Sequence, residues 1–233
     1  MPETGTAHVQ TAPAAGLPPQ TDDPFSRAEA MVADVDVFAE FVADAIAEYR
    51  MGLDSVAAGG SRLHRPNSFG LLGGTLEDDA LVVRRVAFAD NVRAVDEAPL
   101  EEFRQNIVPR FGKQYDDGER GFWADSRQVL RVSREFDAAG LELLGSVHMH
   151  PDWHRVGPPH ERGTEHLSEN PSRMDEYLFR NAGWPLNVIC YLESRGRGGV
   201  THTYAAWRSP AADGAKAVQM PIRFFARGYE GTA

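Results

Sequence analysis

A single cysteine among 233 residues excludes an internal disulfide and any thiolate-built metal cluster. That residue, Cys190, lies inside the apolar run Leu186 to Leu192, where it reads as a small buried hydrophobe. No stretch of eighteen apolar residues is present, so no membrane span is expected. The N-terminus lacks both the basic and the apolar segment of an export signal, and a cytoplasmic location is the expectation that follows. There is no Lys- or Arg-rich run, and the formal net charge is −10, which argues against nucleic acid or an anionic membrane as the main partner. A phosphate-binding glycine loop is also missing, which leaves a nucleotide enzyme without support.

What is present suits one globular domain. A hydrophobic content of 42% over this length can bury one good core but hardly two. Residues 1–24 are rich in Pro, Ala, Thr, Gln and Gly with almost no large apolar side chain, so a disordered tail is expected before a domain at 25–233. From Ser26 to Tyr49, residues Val32, Val35, Phe38, Phe41, Val42, Ala45, Ile46 and Tyr49 recur at helical spacing, with Gly52, Gly59 and Gly60 to end the helix. A basic loop through Arg62, His64 and Arg65 leads to Pro66. The apolar runs Phe69 to Leu72 and Leu81 to Phe88, separated by Gly73, Gly74 and Glu77-Asp78-Asp79, read as a hairpin. Residues 90–121 are charged and mixed. Ser126 to Ala139 then reads as a helix with the stripe Val129, Leu130, Val132 and Phe136, capped by Gly140. A strand at Leu143 to His150, a polar loop to Asn170, a short helix from Ser172 to Asn181 and strands at Leu186 to Leu192 and Thr201 to Trp207 complete the pattern. The fold class is α/β, a mixed and mostly antiparallel sheet flanked by helices, with the all-apolar run at 186–192 as a central strand. The frequent Ala, Arg, Asp and Gly give the impression of a high-GC bacterial coding sequence.

Side chains alternate faces along a strand, so in Gly145-Ser146-Val147-His148-Met149-His150 the two histidines share one face and Val147 and Met149 the other. Two imidazoles on one face can converge on one ion. Zinc takes His nitrogens and, in a catalytic site, a third protein ligand plus an open position. Asp175, in the first turn of the helix opened by Pro171-Ser172, is placed to supply the third ligand.

The run His148-Met149-His150-Pro151 followed by Ser172-x-x-Asp175 and an apolar strand resembles the JAMM/MPN signature His-x-His-Pro…Ser-x-x-Asp. Phe69-Gly70-Leu71-Leu72-Gly73-Gly74 looks like the first strand of that family, and Ser126 to Ser146 like the helix and strand that lead to the histidines. The resemblance covers roughly residues 35–207. It implies a cytidine-deaminase-like fold, Zn2+ held by His148, His150 and Asp175, and hydrolysis of an amide or isopeptide carbonyl by a zinc-activated water. Ser172 would hydrogen-bond the oxyanion; it also reads as an ordinary helix cap, and one hydroxyl can serve both purposes. The implied substrate is a ubiquitin-like or sulfur-carrier protein, or a small-molecule amide.

The family carries a glutamate base three residues before the glycine that is Gly70 here. This chain has Asn67, whose amide can orient a water but cannot carry its proton away. A substitute can come from the long stretch between His150 and Asp175, which contains Asp152, His154, His160, Glu161, Glu165 and His166; five of the eight histidines lie between positions 148 and 166. Glu161 and Glu165 are the candidate carboxylates. Polar residues in such a loop can equally do no more than face water. Two other readings stand beside a substitute base: slow hydrolysis of an activated bond by the metal and Ser172 alone, and a non-catalytic MPN-type binding or scaffold module. Trp153 and Trp184 are candidate groove residues or plain packing.

Overall fold

The computed structural model describes residues 24–60, 68–93, 95–116, 121–157, 159, 162, 170–196 and 198–226. The N-terminal tail up to residue 23 lies outside the described residues. So do Asn67, His160, Glu161, Glu165 and His166.

Among the described residues, the chain forms a mixed α/β structure around one eight-stranded sheet. Its strands are β1 (Ala30–Asp34), β2 (Phe69–Glu77), β3 (Ala80–Phe88), β4 (Glu142–Pro151), β5 (Leu186–Arg195), β6 (Gly199–Arg208), β7 (Val218–Met220) and β8 (Ile222–Phe225). The order across the sheet is β7-β6-β5-β4-β2-β3-β1-β8. Four of the seven pairings are antiparallel; β1–β3, β1–β8 and β4–β5 are parallel. The outermost strands β7 and β8 are halves of one segment broken only at Pro221, whose carbonyl accepts from Met31 N–H at 2.9 Å. That segment pairs with β6 on one side and β1 on the other, so the sheet closes almost into a barrel. Closure of this kind removes exposed strand edges.

One face of the sheet is covered by α1 (Ala39–Ala57), whose buried Phe41, Ala45, Tyr49 and Gly52 recur at helical spacing. Phe41, Ala45 and Tyr49 join Val147 and Met149 of β4 and Val188, Cys190 and Leu192 of β5 in the main core. The other face carries α4 (Ser126–Ala138), whose Val132 and Phe136 pack on Phe69 and Leu71, and α6 (Arg173–Ala182), whose Phe179 packs on Ile189, Tyr191, Ala205 and Trp207. Between β3 and α4, the charged stretch folds into α2 (Glu97–Glu102), one π turn (Phe103–Ile107), α3 (Val108–Phe111) and a short 3-10 turn. Phe103, Ile107 and Tyr115 from this segment form a separate cluster with Met174 of α6. A one-turn helix, α5 (Trp153–Val156), follows β4.

Four expectations change. The helix predicted over 26–49 is a strand, a 3-10 turn and then α1, which runs eight residues past Tyr49 to Ala57. Asp34 makes the break by accepting from Asp36 N–H at 3.1 Å, and pairing of β1 with both β3 and β8 outweighs local helical spacing. Gly52 does not end the helix: a Cβ there would stand 2.7 Å from the Trp153 ring, so glycine serves close packing. Gly73 and Gly74 likewise lie inside β2, against the Phe136 ring and the Val82 carbonyl, while the hairpin turns at Asp78 and Asp79, both at positive φ. Leu130, expected on the buried stripe of α4, is 53% exposed.

Candidate metal centre

The connection from β4 to β5 explains why the proposed ligands meet. Because the two strands are parallel neighbours, the intervening α6 must run back from the carboxyl end of β4 to the start of β5. The N-terminus of α6 therefore lies beside the last residues of β4, where the histidines are. Alternation puts His148 and His150 on the α6 face, with Val147 and Met149 in the core on the α1 face. His148 faces Phe179 with ring centroids 6.0 Å apart, and His150 meets Tyr191 of β5 edge-on at 5.7 Å.

The distances fit a single ion. His148 Nε2 and His150 Nε2 are 3.1 Å apart. Asp175 Oδ1 lies 3.5 Å from His148 Nε2 and Asp175 Oδ2 lies 3.4 Å from His150 Nε2. Zinc bonds of about 2.0–2.1 Å at tetrahedral angles would put neighbouring donors about 3.3 Å apart. The three residues thus offer donor atoms at the spacing that a coordinated ion needs, all within 4.8 Å of one another. The ligand chemistry, two imidazoles and a carboxylate, suits zinc, and three donors leave one tetrahedral position open.

Electrostatics point the same way. Burial lowers the His148 pKa, helped by His150 and opposed by Asp175. Burial alone would raise the Asp175 carboxyl, but the charge of His150 and hydrogen bonds from both imidazoles outweigh it and hold the group well below the usual carboxylate range. A neutral His148 and an ionised Asp175 are the forms that bind a metal.

Ser172 is the N-cap of α6. Its Oγ accepts from Asp175 N–H at 3.1 Å, and its own N–H donates to Asp175 Oδ2 at 2.7 Å, a reciprocal capping box. The box fixes the carboxylate that faces the histidines. Because capping uses Ser172 Oγ as acceptor, its hydroxyl proton remains for a second partner.

The helix is also held from outside. Glu176 accepts from Ala217 N–H at 3.2 Å and pairs with Lys216 at 3.3 Å, while Tyr177 Oη donates to Glu102 at 3.0 Å. Sequence reasoning missed these braces, since nothing in the pattern at 97–116 or 209–217 signals that they reach α6.

Other candidates are used elsewhere. Asp152, one of the potential bases, is 0% exposed and accepts from Tyr49 Oη and from Ser194 N–H at 3.2 Å. This ties the end of β4 to α1 and β5. Trp153 packs at 5.2 Å on Tyr49 and against Gly52, and Trp184 packs beside the α4 cluster, so both serve packing. Sequence reasoning also missed Glu48 on α1, which accepts from Ser68 N–H at 2.8 Å and Ser68 Oγ at 2.7 Å immediately before β2.

No protein-family profile matches the chain, and no curated protein sequence matches it significantly. Among solved structures, it is similar to protein DSY2949 from Desulfitobacterium hafniense, with 14% identity, a TM-score of 0.45, and coverage of 86% of this chain and 97% of that one. It is also similar to a protein from Salinibacter ruber, with 20% identity, a TM-score of 0.40, and coverage of 86% and 94%. Likeness at this level carries no functional argument. No helix among the described residues is long and apolar enough to cross a membrane.

Proposed function

We propose that this chain is a zinc-dependent hydrolase of an amide or isopeptide bond, of the JAMM/MPN type. The reading rests on one observation above all: His148, His150 and Asp175 present three donor atoms at coordination spacing, with Ser172 locked to the carboxylate. When bound, the ion supplies an activated water and polarises the carbonyl oxygen under attack. His148 and His150 hold it from the rigid sheet, and Asp175 from the capped end of α6. Ser172 would donate a hydrogen bond from its hydroxyl to the developing oxyanion. The proton-accepting role falls to the segment between Asp152 and Asn170, where Glu161 and Glu165 carry the carboxylates, because Asn67 cannot fill it. The substrates that suit the reading are a ubiquitin-like or sulfur-carrier protein with a glycine-rich tail, or a small-molecule amide.

A second reading draws on Asn67: a chain with the family's metal ligands but no strand glutamate acts as a metal-bearing binding or scaffold module. Two measurements separate them. Purified protein should contain about one zinc per chain that a chelator removes; a metal-free protein refutes both readings of the site. Glycine-tailed fusion proteins and aryl amides should then be cleaved by the zinc form and not by the chelated form. Metal without cleavage, together with gained cleavage in Asn67→Glu, selects the scaffold reading.

A further inference from the structure

Beyond Pro221 the closure of the sheet is incomplete. The closing segment pairs with β6 only as far as Ala206–Met220, and from Ile222 onward it pairs with β1 instead. Among the described residues, β8 therefore has no strand partner on its edge away from β1. Nor has β6 a partner along Gly199–Tyr204 on its edge away from β5. A slot between two free edges opens where the strands part, and a cleft of about 370 Å³ lined by Tyr204, Gln219, Met220, Pro221 and Ile222 marks its closed end. The floor of the slot is aromatic: the Tyr204 ring lies 5.0 Å from Phe38 and 5.7 Å from Phe224 on the α1 side. Thr201, His202 and Thr203 are exposed, and Phe224 is 42% exposed. Free edges invite a further strand, and Gly199–Tyr204 carries none of the Lys, Pro or carboxylate residues that blunt an edge.

We propose that the chain fills this slot itself: residues 227–233, which lie outside the described residues and continue from β8 after Ala226, turn at Arg227-Gly228 and return as a ninth strand at Tyr229–Ala233. Gly228 supplies the residue that takes positive φ in a two-residue hairpin turn. The returning strand runs antiparallel to β8 and parallel to β6, and its amides and carbonyls pair with both edges. The turn fixes the register. Glu230 stands opposite Phe225, Gly231 opposite Phe224, Thr232 opposite Arg223 and Ala233 opposite Ile222, so the segment is long enough to reach the cleft. Opposite residues of an antiparallel pair share a face. Ile222 and Phe224 face the α1 core, so Tyr229, Gly231 and Ala233 cover the aromatic floor, with Gly231 over Phe224. Glu230 and Thr232 face outward, where Glu230 lies diagonal to Arg223. The apolar and small residues of the segment thus alternate with its polar ones in the phase that the slot requires.

Cross-linking of the full chain provides the test, and the metal centre has no part in it. Arg223→Cys combined with Thr232→Cys puts two thiols opposite each other on the outer face, while the native Cys190 is buried. Mild oxidation should give a disulfide within one chain, on a species that remains monomeric by size-exclusion chromatography. A disulfide found only between chains assigns the slot to a second copy and overturns the proposal, as does the absence of any disulfide. Hydrogen exchange supplies the second measurement. Ending the chain at Arg227 should accelerate exchange along Val200–Tyr204 by about tenfold or more, while Val188–Leu192 in the centre of the sheet keeps its wild-type rate. Equal exchange along Val200–Tyr204 with and without residues 228–233 also overturns the proposal.

Discussion

Asp175 and Asp152 are the same residue type, both buried, both within reach of the end of β4, and they do opposite work. Asp175 faces two imidazoles across 3.4–3.5 Å and accepts from Ser172 N–H at 2.7 Å. Asp152 accepts from the Tyr49 hydroxyl and the Ser194 N–H, two neutral donors that complete its hydrogen bonding within the fold. Burial alone therefore does not mark a functional carboxylate. What surrounds it decides: a phenol and a backbone N–H make Asp152 a brace, whereas two imidazole nitrogens at coordination spacing make Asp175 part of a group that could hold a metal ion.

Substitution should separate the two most sharply. Asp175→Ala should lose stoichiometric zinc, with affinity reduced by more than about 100-fold, measured by elemental analysis and competition with a chelator. Asp152→Ala should keep the metal and lose stability, because two buried donors are orphaned: about 3 kcal/mol, or a melting temperature about 6–12 °C lower. Zinc lost from the Asp152 variant while its fold persists would erase the contrast. Ser172→Ala should cost about 1 kcal/mol as a lost cap and, where the hydroxyl also serves the oxyanion, about 100-fold in hydrolysis, with Ser172→Thr restoring both. A stability loss alone would confine Ser172 to the capping box.

The smallest effect concerns the α1 face. Burial pushes the Cys190 thiol up to about 12 from an ordinary value of 9.0. The native thiol should therefore resist alkylation at pH 8 and react only on unfolding. The sign for stability follows: below pH 9 both states keep the proton and nothing changes, whereas between pH 9 and 12 the unfolded chain ionises first and stability falls. Melting curves of wild type and Cys190→Ala across that range should converge as the pH rises; parallel curves would contradict it.

The His148, His150 and Asp175 group was legible because it depends on short-range regularities. His148 and His150 share a face by the two-residue period of any strand, and Ser172 followed by Asp175 spells a helix start whose third position turns back to the cap. The sheet and its two covering layers could be read from the apolar runs for the same reason. The segment around Ala30–Asp34 was not legible: its spacing satisfies a helix, and only partners at positions 80–83 and 222–225 make it a strand. Asn67, Glu161 and Glu165 lie outside the described residues, so the base rests on chemistry alone.

By itself, the sequence determined which residues could be ligands, which face of β4 they occupy and where the carboxylate is capped, since each of these is set by neighbours within four positions. Only the tertiary structure decided that α6 returns its N-terminus to the histidines, that Asp152 is a brace, that Tyr191 stands beside His150 and that residues 218–225 close the sheet. Those outcomes depend on strand order and register, which arise from contacts between residues far apart in the chain and leave no local periodicity to read.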